Sequence, residues 1–256
     1  MQDDYQVLEA AIKTAGKRAQ AIRQSGLSVT TKSRQDFVSQ ADIAVEAELK
    51  KVIRALFPDD GFLGEESGLV QASKPEDCGV WVIDPIDGTT NYVQGMDYWC
   101  VSVAYIKHNE IQMGFVYAPD REEFFTAKKG QGAYLNGVRL TIHDPQKGQA
   151  LLGLGRSNRR PVQAYCDLIL MLDKQSIEYR RFGAGALMLA HVASGLVHGY
   201  FESHLNSWDA LAGLLLIEEA GGQVTDFLKN DGLLNGNLVW AASPQLWEEL
   251  RPWLGA

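Results

Sequence analysis

One string constrains this 256-residue chain more than any other, the run from Trp81 to Asn91, WVIDPIDGTTN. It opens with large apolar and β-branched residues, and Val80 to Ile83 reads as a short buried strand. That strand delivers Asp84 to its exposed end. Pro85 holds Asp84 extended and has no N–H to give to a sheet ladder. Asp87 follows within one turn, and Gly88 permits a sharp change of backbone direction. Two carboxylates so close repel each other unless a cation, a proton or a base intervenes. Their hard oxygens, with the Ile86 carbonyl between them, suit Mg²⁺. The amides of Gly88 and Thr89 are placed to hold a phosphate if a helix starts there. An Asp-rich capped turn would account for Asp-x-x-Asp-Gly alone. It does not account for the full string behind a buried strand, where so many positions serve one geometry.

The rest of the chain is organised around this string without repeats, low-complexity tracts or flexible linkers. Asp3 to Gln24 reads as a helix on the spacing of Val7, Leu8, Ala11, Ala15, Ala19 and Ile22, with Gly26 as terminator. Asp42 to Phe57 reads as a second helix stopped by Pro58, and Val29 to Ser39 between them is β-prone. Tyr98–Ile106 and Ile111–Tyr117 pair around His108 and Asn109. Asn136-Gly137 marks a tight turn between Gly132–Leu135 and Val138–Ile142. This middle region is predicted to be antiparallel sheet. Beyond Leu151 the pattern alternates: helices over Pro161–Leu172 and Gly183–Ser194, a strand over Val197–Glu202, a helix over Ser207–Ala220 with Ser207 as N-cap, and a strand over Asn237–Ala242. The fold class is therefore α/β with layered sheets and helices. It forms one domain over 1–256, with approximate subdomains 1–145 and 146–256.

Two further acidic clusters admit two readings each. Glu65, Glu66 and Ser67 follow the apolar Gly61-Phe62-Leu63, as a solvated loop or as a second source of carboxylates. Trp208-Asp209 opens a long apolar helix, where an aspartate is favourable with no function at all. The segment Gly153-Leu154-Gly155-Arg156 suggests a nucleotide loop but lacks the terminal Lys-Ser/Thr of a P-loop. The histidines lack metal-ligand spacing, and His191 and His198 read as packing or surface residues. Cys78, Cys100 and Cys166 form neither a disulfide framework nor a zinc site and read as reduced, structural thiols.

Taken together, GEES, then WVIDPIDGTTNY, then WDALAG followed by EEAGG resembles the inositol monophosphatase family in order and spacing, over most of the chain. The resemblance implies a fructose-1,6-bisphosphatase-like αβαβα sandwich. It also implies a ligand set of Glu65, Asp84 and the Ile86 carbonyl for a first metal, and Asp84, Asp87 and Asp209 for a second. Asp84 bridges the two, and a weaker third metal sits near Glu65. Asp42 and Thr89 resemble the pair that orients the attacking water, with Glu65 beside them in the catalytic set. Glu66 matches the family's second glutamate near the metals, and Lys32 a lysine on a mobile loop by the active site. Asp87, Gly88, Thr89 and Asp209 fall on the phosphate side. Gly183, Ala184 and Gly185 fall where the family places backbone contacts to substrate hydroxyls, and Glu202 matches a glutamate that binds the sugar ring. Ala184 lacks a hydroxyl often found there, and Leu211 stands where relatives have a smaller residue. Arg180 and Arg181 are placed to reach substrate or a partner subunit.

What the resemblance implies for function is hydrolysis of a small phosphate monoester, foremost myo-inositol monophosphate, by direct attack of a metal-activated water. Two or three Mg²⁺ ions and lithium sensitivity come with it, as does a homodimer. Fructose-1,6-bisphosphate, histidinol phosphate and 3'-phosphoadenosine 5'-phosphate are the sister substrates, and a regulatory interaction protein with residual activity is the reading of another class. A net charge of -8 argues against nucleic-acid and anionic-membrane partners. The acidic N-terminal MQDDYQVLEA shows no signal peptide, and Leu211–Ile217 is too short to cross a bilayer. The expectation is a cytoplasmic enzyme.

Overall fold

The computed structural model describes residues 2–26, 29–33, 36–74 and 76–254, with side chains over 4–26, 40–74 and 76–254. Helix α1 (Gln2–Ser25) leads into a hairpin, β1 (Val29–Ser33) and β2 (Asp36–Ser39), and then α2 (Gln40–Leu56). Lys32 lies in that hairpin, outside the described side chains. Leu8, Ile12, Ala15 and Ala19 form the buried stripe of α1, while Val7, which the spacing put on it, is exposed.

The chain then builds β3 (Gly61–Gly64), β4 (Gly68–Val70), β5 (Val80–Asp87), the short helix α3 (Thr89–Val93), β6 (Cys100–Lys107), β7 (Glu110–Ala118), β8 (Glu123–Lys128), β9 (Gly132–Leu135) and β10 (Val138–Arg139). These strands make one eight-stranded sheet in the order β10-β9-β8-β7-β6-β5-β3-β4. It is mixed rather than purely antiparallel, because β3 runs parallel to β5. His108 and Asn109 both take positive φ at the β6–β7 turn, as do Asn136 and Gly137 at β9–β10. That backbone twist matches paired strands.

The second half supplies β11 (Leu151–Leu154), α4 (Val162–Lys174), β12 (Glu178–Arg180), α5 (Gly185–Ala193), β13 (Gly199–Leu205), α6 (Ser207–Glu219), β14 (Gln223–Val224), α7 (Gly232–Asn235), β15 (Asn237–Ala242) and α8 (Pro244–Leu254). Its five-stranded sheet runs β12-β11-β13-β15-β14.

Alternation along β5 shows how the layers stack. Trp81 and Ile83 pack with Leu8, Ile12, Val45 and Leu49 of α1 and α2. Val82 points the other way, into a core with Leu187, Leu189, Leu214 and Ile217 of α5 and α6. That core also takes Tyr200, Val239 and Ala241 from the second sheet. The outer face of the second sheet, through Leu152, Phe201 and Trp240, is covered by Leu168 and Leu172 of α4 and Leu246 and Trp247 of α8. The order is helix pair, sheet, helix pair, sheet, helix pair, the αβαβα sandwich expected. Helices α5 and α6 are apolar all round because both their sides face a sheet.

Candidate active site

Strand β5 does not stop at Ile83 but runs on through Asp87, and Asp84 is buried rather than at an exposed strand end. Against β6, Asp84 lies opposite Ser102 and Asp87 opposite Cys100, so three residue steps on β5 match two on its partner. This is a bulge. In a regular strand, residues three apart project from opposite faces. The extra residue brings both aspartates to one side, and Pro85, with no N–H to lose, sits where the ladder breaks. Asp84 Oδ1 accepts the Ile86 amide at 2.9 Å. Gly88, at φ 86°, turns the chain into α3, and the Thr89 hydroxyl donates to the Ile86 carbonyl at 3.0 Å.

The third carboxylate comes from the other half of the chain. Asp209 lies in the first turn of α6, whose N-cap is Asn206 and not Ser207; Ser207 is buried inside the helix. Ser102 Oγ on β6 donates to the Trp208 carbonyl at 2.9 Å and fixes the height of that first turn against the first sheet. Asp84, Asp87 and Asp209 each place an oxygen within 4.8 Å of the others. Their electrostatics follow from that crowding. Burial, then the charges of Glu65, Asp209 and Asp87, push the Asp84 carboxyl well above its ordinary value. Burial, then Asp87, does the same to Asp209. Asp87 rises to about 6 through burial, held back by the amides of Leu187, Gly185 and Ala186. The cluster cannot carry all its negative charge without a proton or a cation.

Glu65 directly follows β3, its amide bound to the Ile83 carbonyl at 3.2 Å, and its charge acts on both Asp84 and Asp209. The Glu66 amide donates to Glu46 Oε2 at 3.0 Å. Asp42 is buried in the first turn of α2; burial raises the Tyr92 hydroxyl on α3, and the Asp42 charge adds to that rise.

On the substrate side, Asp87 Oδ1 accepts the Gly185 amide at 3.0 Å, and Oδ2 the amides of Ala186 at 2.8 Å and Leu187 at 3.3 Å. It therefore caps α5, whose own N-cap, Ala184, offers no side-chain acceptor. Sequence reasoning missed this. The signal was a helix start at Gly183-Ala184-Gly185 with no local residue to satisfy its first amides. Asn91 Nδ2 adds a second tie, donating at 2.7 Å to the carbonyls of Tyr98 and Phe182. The Gly185 amide is thus turned to Asp87, while Gly183, at φ 80°, and Ala184 line the cavity beside it.

That cavity has a volume of about 190 Å³ and is also lined by Asp209, Glu202, Arg156 and Arg181. Glu202 is 8% exposed and accepts the Tyr200 hydroxyl at 2.6 Å. Burial lifts its carboxyl to about 7, with the Tyr200 bond and the Arg181 charge working against that. Gly155 leaves room for this carboxylate, because a Cβ on it would lie 1.9 Å from Glu202 Oε2 and displace it. Arg181 faces the cavity, whereas Arg180 turns to Glu178 at 3.1 Å. A larger cavity of about 740 Å³ lies beyond Phe201 and Ser203, on the opposite face of β13, and holds none of the clustered carboxylates. His191 is a packing residue, as expected, buried between the Tyr98 hydroxyl and Glu123.

Comparison with known proteins agrees with this geometry. Residues 1–253 match the model of the inositol monophosphatase family. Nus factor SuhB of Haemophilus influenzae is 38% identical over 262 residues, covering 98% of this chain and 97% of that relative. The crystal structure of extragenic suppressor protein suhB from Bartonella henselae superposes with a TM-score of 0.90 at 31% identity, covering 98% of this chain and 97% of that one. An inositol monophosphatase structure from Anabaena gives 0.79 at 31% identity, covering 97% and 95%. With its sandwich, its bulged Asp84–Asp87 strand and its third aspartate on α6, the chain belongs to the inositol monophosphatase family.

Proposed function

We propose that this protein hydrolyses small phosphate monoesters, myo-inositol monophosphate foremost, using Mg²⁺ and water. The observation that carries this reading is the carboxylate cluster, buried Asp84 and Asp87 with half-buried Asp209 within 4.8 Å of one another and the Glu65 charge acting on two of them. The donor set fits Mg²⁺: hard carboxylate and carbonyl oxygens, with carboxyls raised for want of positive charge. Glu65, Asp84 and the Ile86 carbonyl would hold one ion, and Asp84, Asp87 and Asp209 a second, with a third near Glu65. Bound there, the ions would supply charge for the phosphate dianion, acidify water and stabilise the leaving oxygen.

The chain's own groups do the rest. Thr89 and Asp42 orient the attacking water, and the Asp42 carboxylate is the group that takes up its proton. Asp87 spends part of its charge on the amides of α5, so the substrate-side segment 183–187 is held in register with the metal loop. Glu202 accepts hydroxyl hydrogen bonds from a polyol ring entering the small cavity. Among the described residues of these motifs none is placed as a nucleophile with its own base, so the displacement is a single in-line step. The protein works as a cytoplasmic, lithium-sensitive homodimer in this reading.

A second reading is favoured by the relatives that bear the name Nus factor SuhB, at 36–39% identity. It makes this chain a regulatory interaction protein with residual phosphatase activity. One assay separates the two. Phosphate release is measured over a panel of inositol, sugar, histidinol and nucleotide phosphates, with Mg²⁺ and with excess EDTA. Turnover that vanishes in EDTA and returns with Mg²⁺ is expected. Undiminished turnover in EDTA sinks the metal mechanism, and turnover that stays residual on every monoester hands the chain to the interaction reading.

A further inference from the structure

We propose that Glu46, together with Lys50, is the positioning device that aims Glu65 at the metal centre; this rests on the metal-dependent reading above. The turn Glu65-Glu66-Ser67 joins β3 to β4 and carries a proposed ligand, yet its residues are those of an ordinary solvated loop. What holds it is a carboxylate from α2. Glu46 is only 4% exposed. Its Oε2 accepts the Glu66 amide at 3.0 Å, and its Oε1 takes the Lys50 ammonium at 2.9 Å. Lys50 in turn reaches the Ser67 hydroxyl.

Gly64 closes the clamp from the other side. A Cβ built there would stand 2.4 Å from Glu46 Oε2 and 2.6 Å from its Cδ, so a larger residue would have to displace the carboxylate from its place. Both chain neighbours of Glu65 are thus pressed on one buried group, while its own amide is fixed to Ile83. The Glu65 backbone is thereby fixed beside Asp84 and Asp209, on both of which its charge acts. Asp42, Glu46 and Lys50 stand four residues apart in succession, on one stripe of α2. One rigid helix therefore sets both the proposed water-orienting carboxylate and the loop that bears the ligand. Outer-shell groups of this kind tune metal affinity by orienting the ligand rather than touching the ion.

A pair that merely stabilised the hairpin would lower the melting temperature without changing metal affinity. The test is Mg²⁺ titration calorimetry on the full chain, beside thermal unfolding of the metal-free protein and kcat for inositol monophosphate against Mg²⁺ concentration. Glu46→Ala should weaken Mg²⁺ binding by roughly 10–100-fold, the range for outer-shell partners, with kcat largely recovered at saturating Mg²⁺. Glu46→Gln keeps an acceptor for the Glu66 amide and should recover most of the affinity. Lys50→Met should weaken Mg²⁺ binding several-fold. It carries the test if Glu46→Ala does not fold. Native Mg²⁺ affinity in folded Glu46→Ala, or in Lys50→Met if Glu46→Ala does not fold, overturns the proposal while leaving the metal reading standing. A native protein that binds no Mg²⁺ sinks the metal reading itself.

Discussion

Replacing Glu202 by glutamine should stabilise the metal-free protein, and more so as pH rises. Burial sets the Glu202 carboxyl at about 7 in the folded chain, against an ordinary value of 4.5. A raised carboxyl means that the folded state holds the proton more tightly than the unfolded chain. The native protein therefore carries no penalty below about pH 4.5, acquires it as pH rises through the window between 4.5 and 7, and carries all of it above. At 1.36 kcal/mol per pH unit the full penalty is about 3 kcal/mol. Glutamine keeps the shape and an oxygen for the Tyr200 hydroxyl but never ionises, so the variant escapes the penalty. Linkage arithmetic puts its advantage at about 1 kcal/mol at pH 5 and about 3 kcal/mol at pH 8. The assay is urea unfolding of both proteins in EDTA at the two pH values; Asp84, Asp87 and Asp209 titrate in both and largely cancel in the difference. The same substitution should cut kcat/KM for inositol phosphate more than for glycerol 2-phosphate, because a charged acceptor of hydroxyl bonds is lost. An advantage equal at both pH values refutes the idea that a buried, ionising carboxylate is held here for the substrate.

Other perturbations probe the remaining parts. Asp84→Asn should lower turnover by several orders of magnitude, since it takes charge from both proposed ions, yet raise the melting temperature of the metal-free chain by removing a crowded carboxylate; near-native turnover would make Asp84 a turn residue. Thr89→Ala should depress kcat by roughly 10²–10⁴-fold and leave KM nearly unchanged, and an effect confined to KM in steady-state assays would reassign Thr89 to phosphate binding. Gly88→Ala forces a left-handed φ on an L-residue and brings a Cβ to 2.9 Å from that of Ala184. It should lower stability by about 1–3 kcal/mol in urea unfolding, and an unchanged midpoint would show that the turn relaxes freely.

The parts of the site that were legible in sequence are those written locally. The strand before Asp84, the Gly88 turn and the two I′-type hairpins each depend on residues within a few positions of one another. What escaped notice depends on long-range approach. Asp87 as the cap of α5, Asn91 as a strap to Phe182 and Glu46 as a clamp on Glu66 are ordinary acidic or polar residues until the fold brings their partners near. Glu46 and Lys50 in particular show the spacing of a solvated helical pair, and only burial distinguishes them. The bulge was half legible, since Pro85 announces a broken ladder without saying that Asp87 changes face. Ser207 misled because a serine at a helix start reads as a cap, although Asn206, one residue earlier, is just as good a residue for it.

The middle helix pair has a consequence for how the chain is made. The first sheet is finished at Arg139, yet the side of it that bears Val82, Val116 and Phe125 is covered by α5 and α6, which are not complete until Glu219. At synthesis rates of ~5–20 residues per second, that apolar surface stands open for on the order of ten seconds behind the ribosome. For most of this interval Asp84 and Asp87 are on the synthesised chain and Asp209 is not. The nascent sheet therefore shows a greasy face with two aspartates at its rim, a surface that a chaperone can hold.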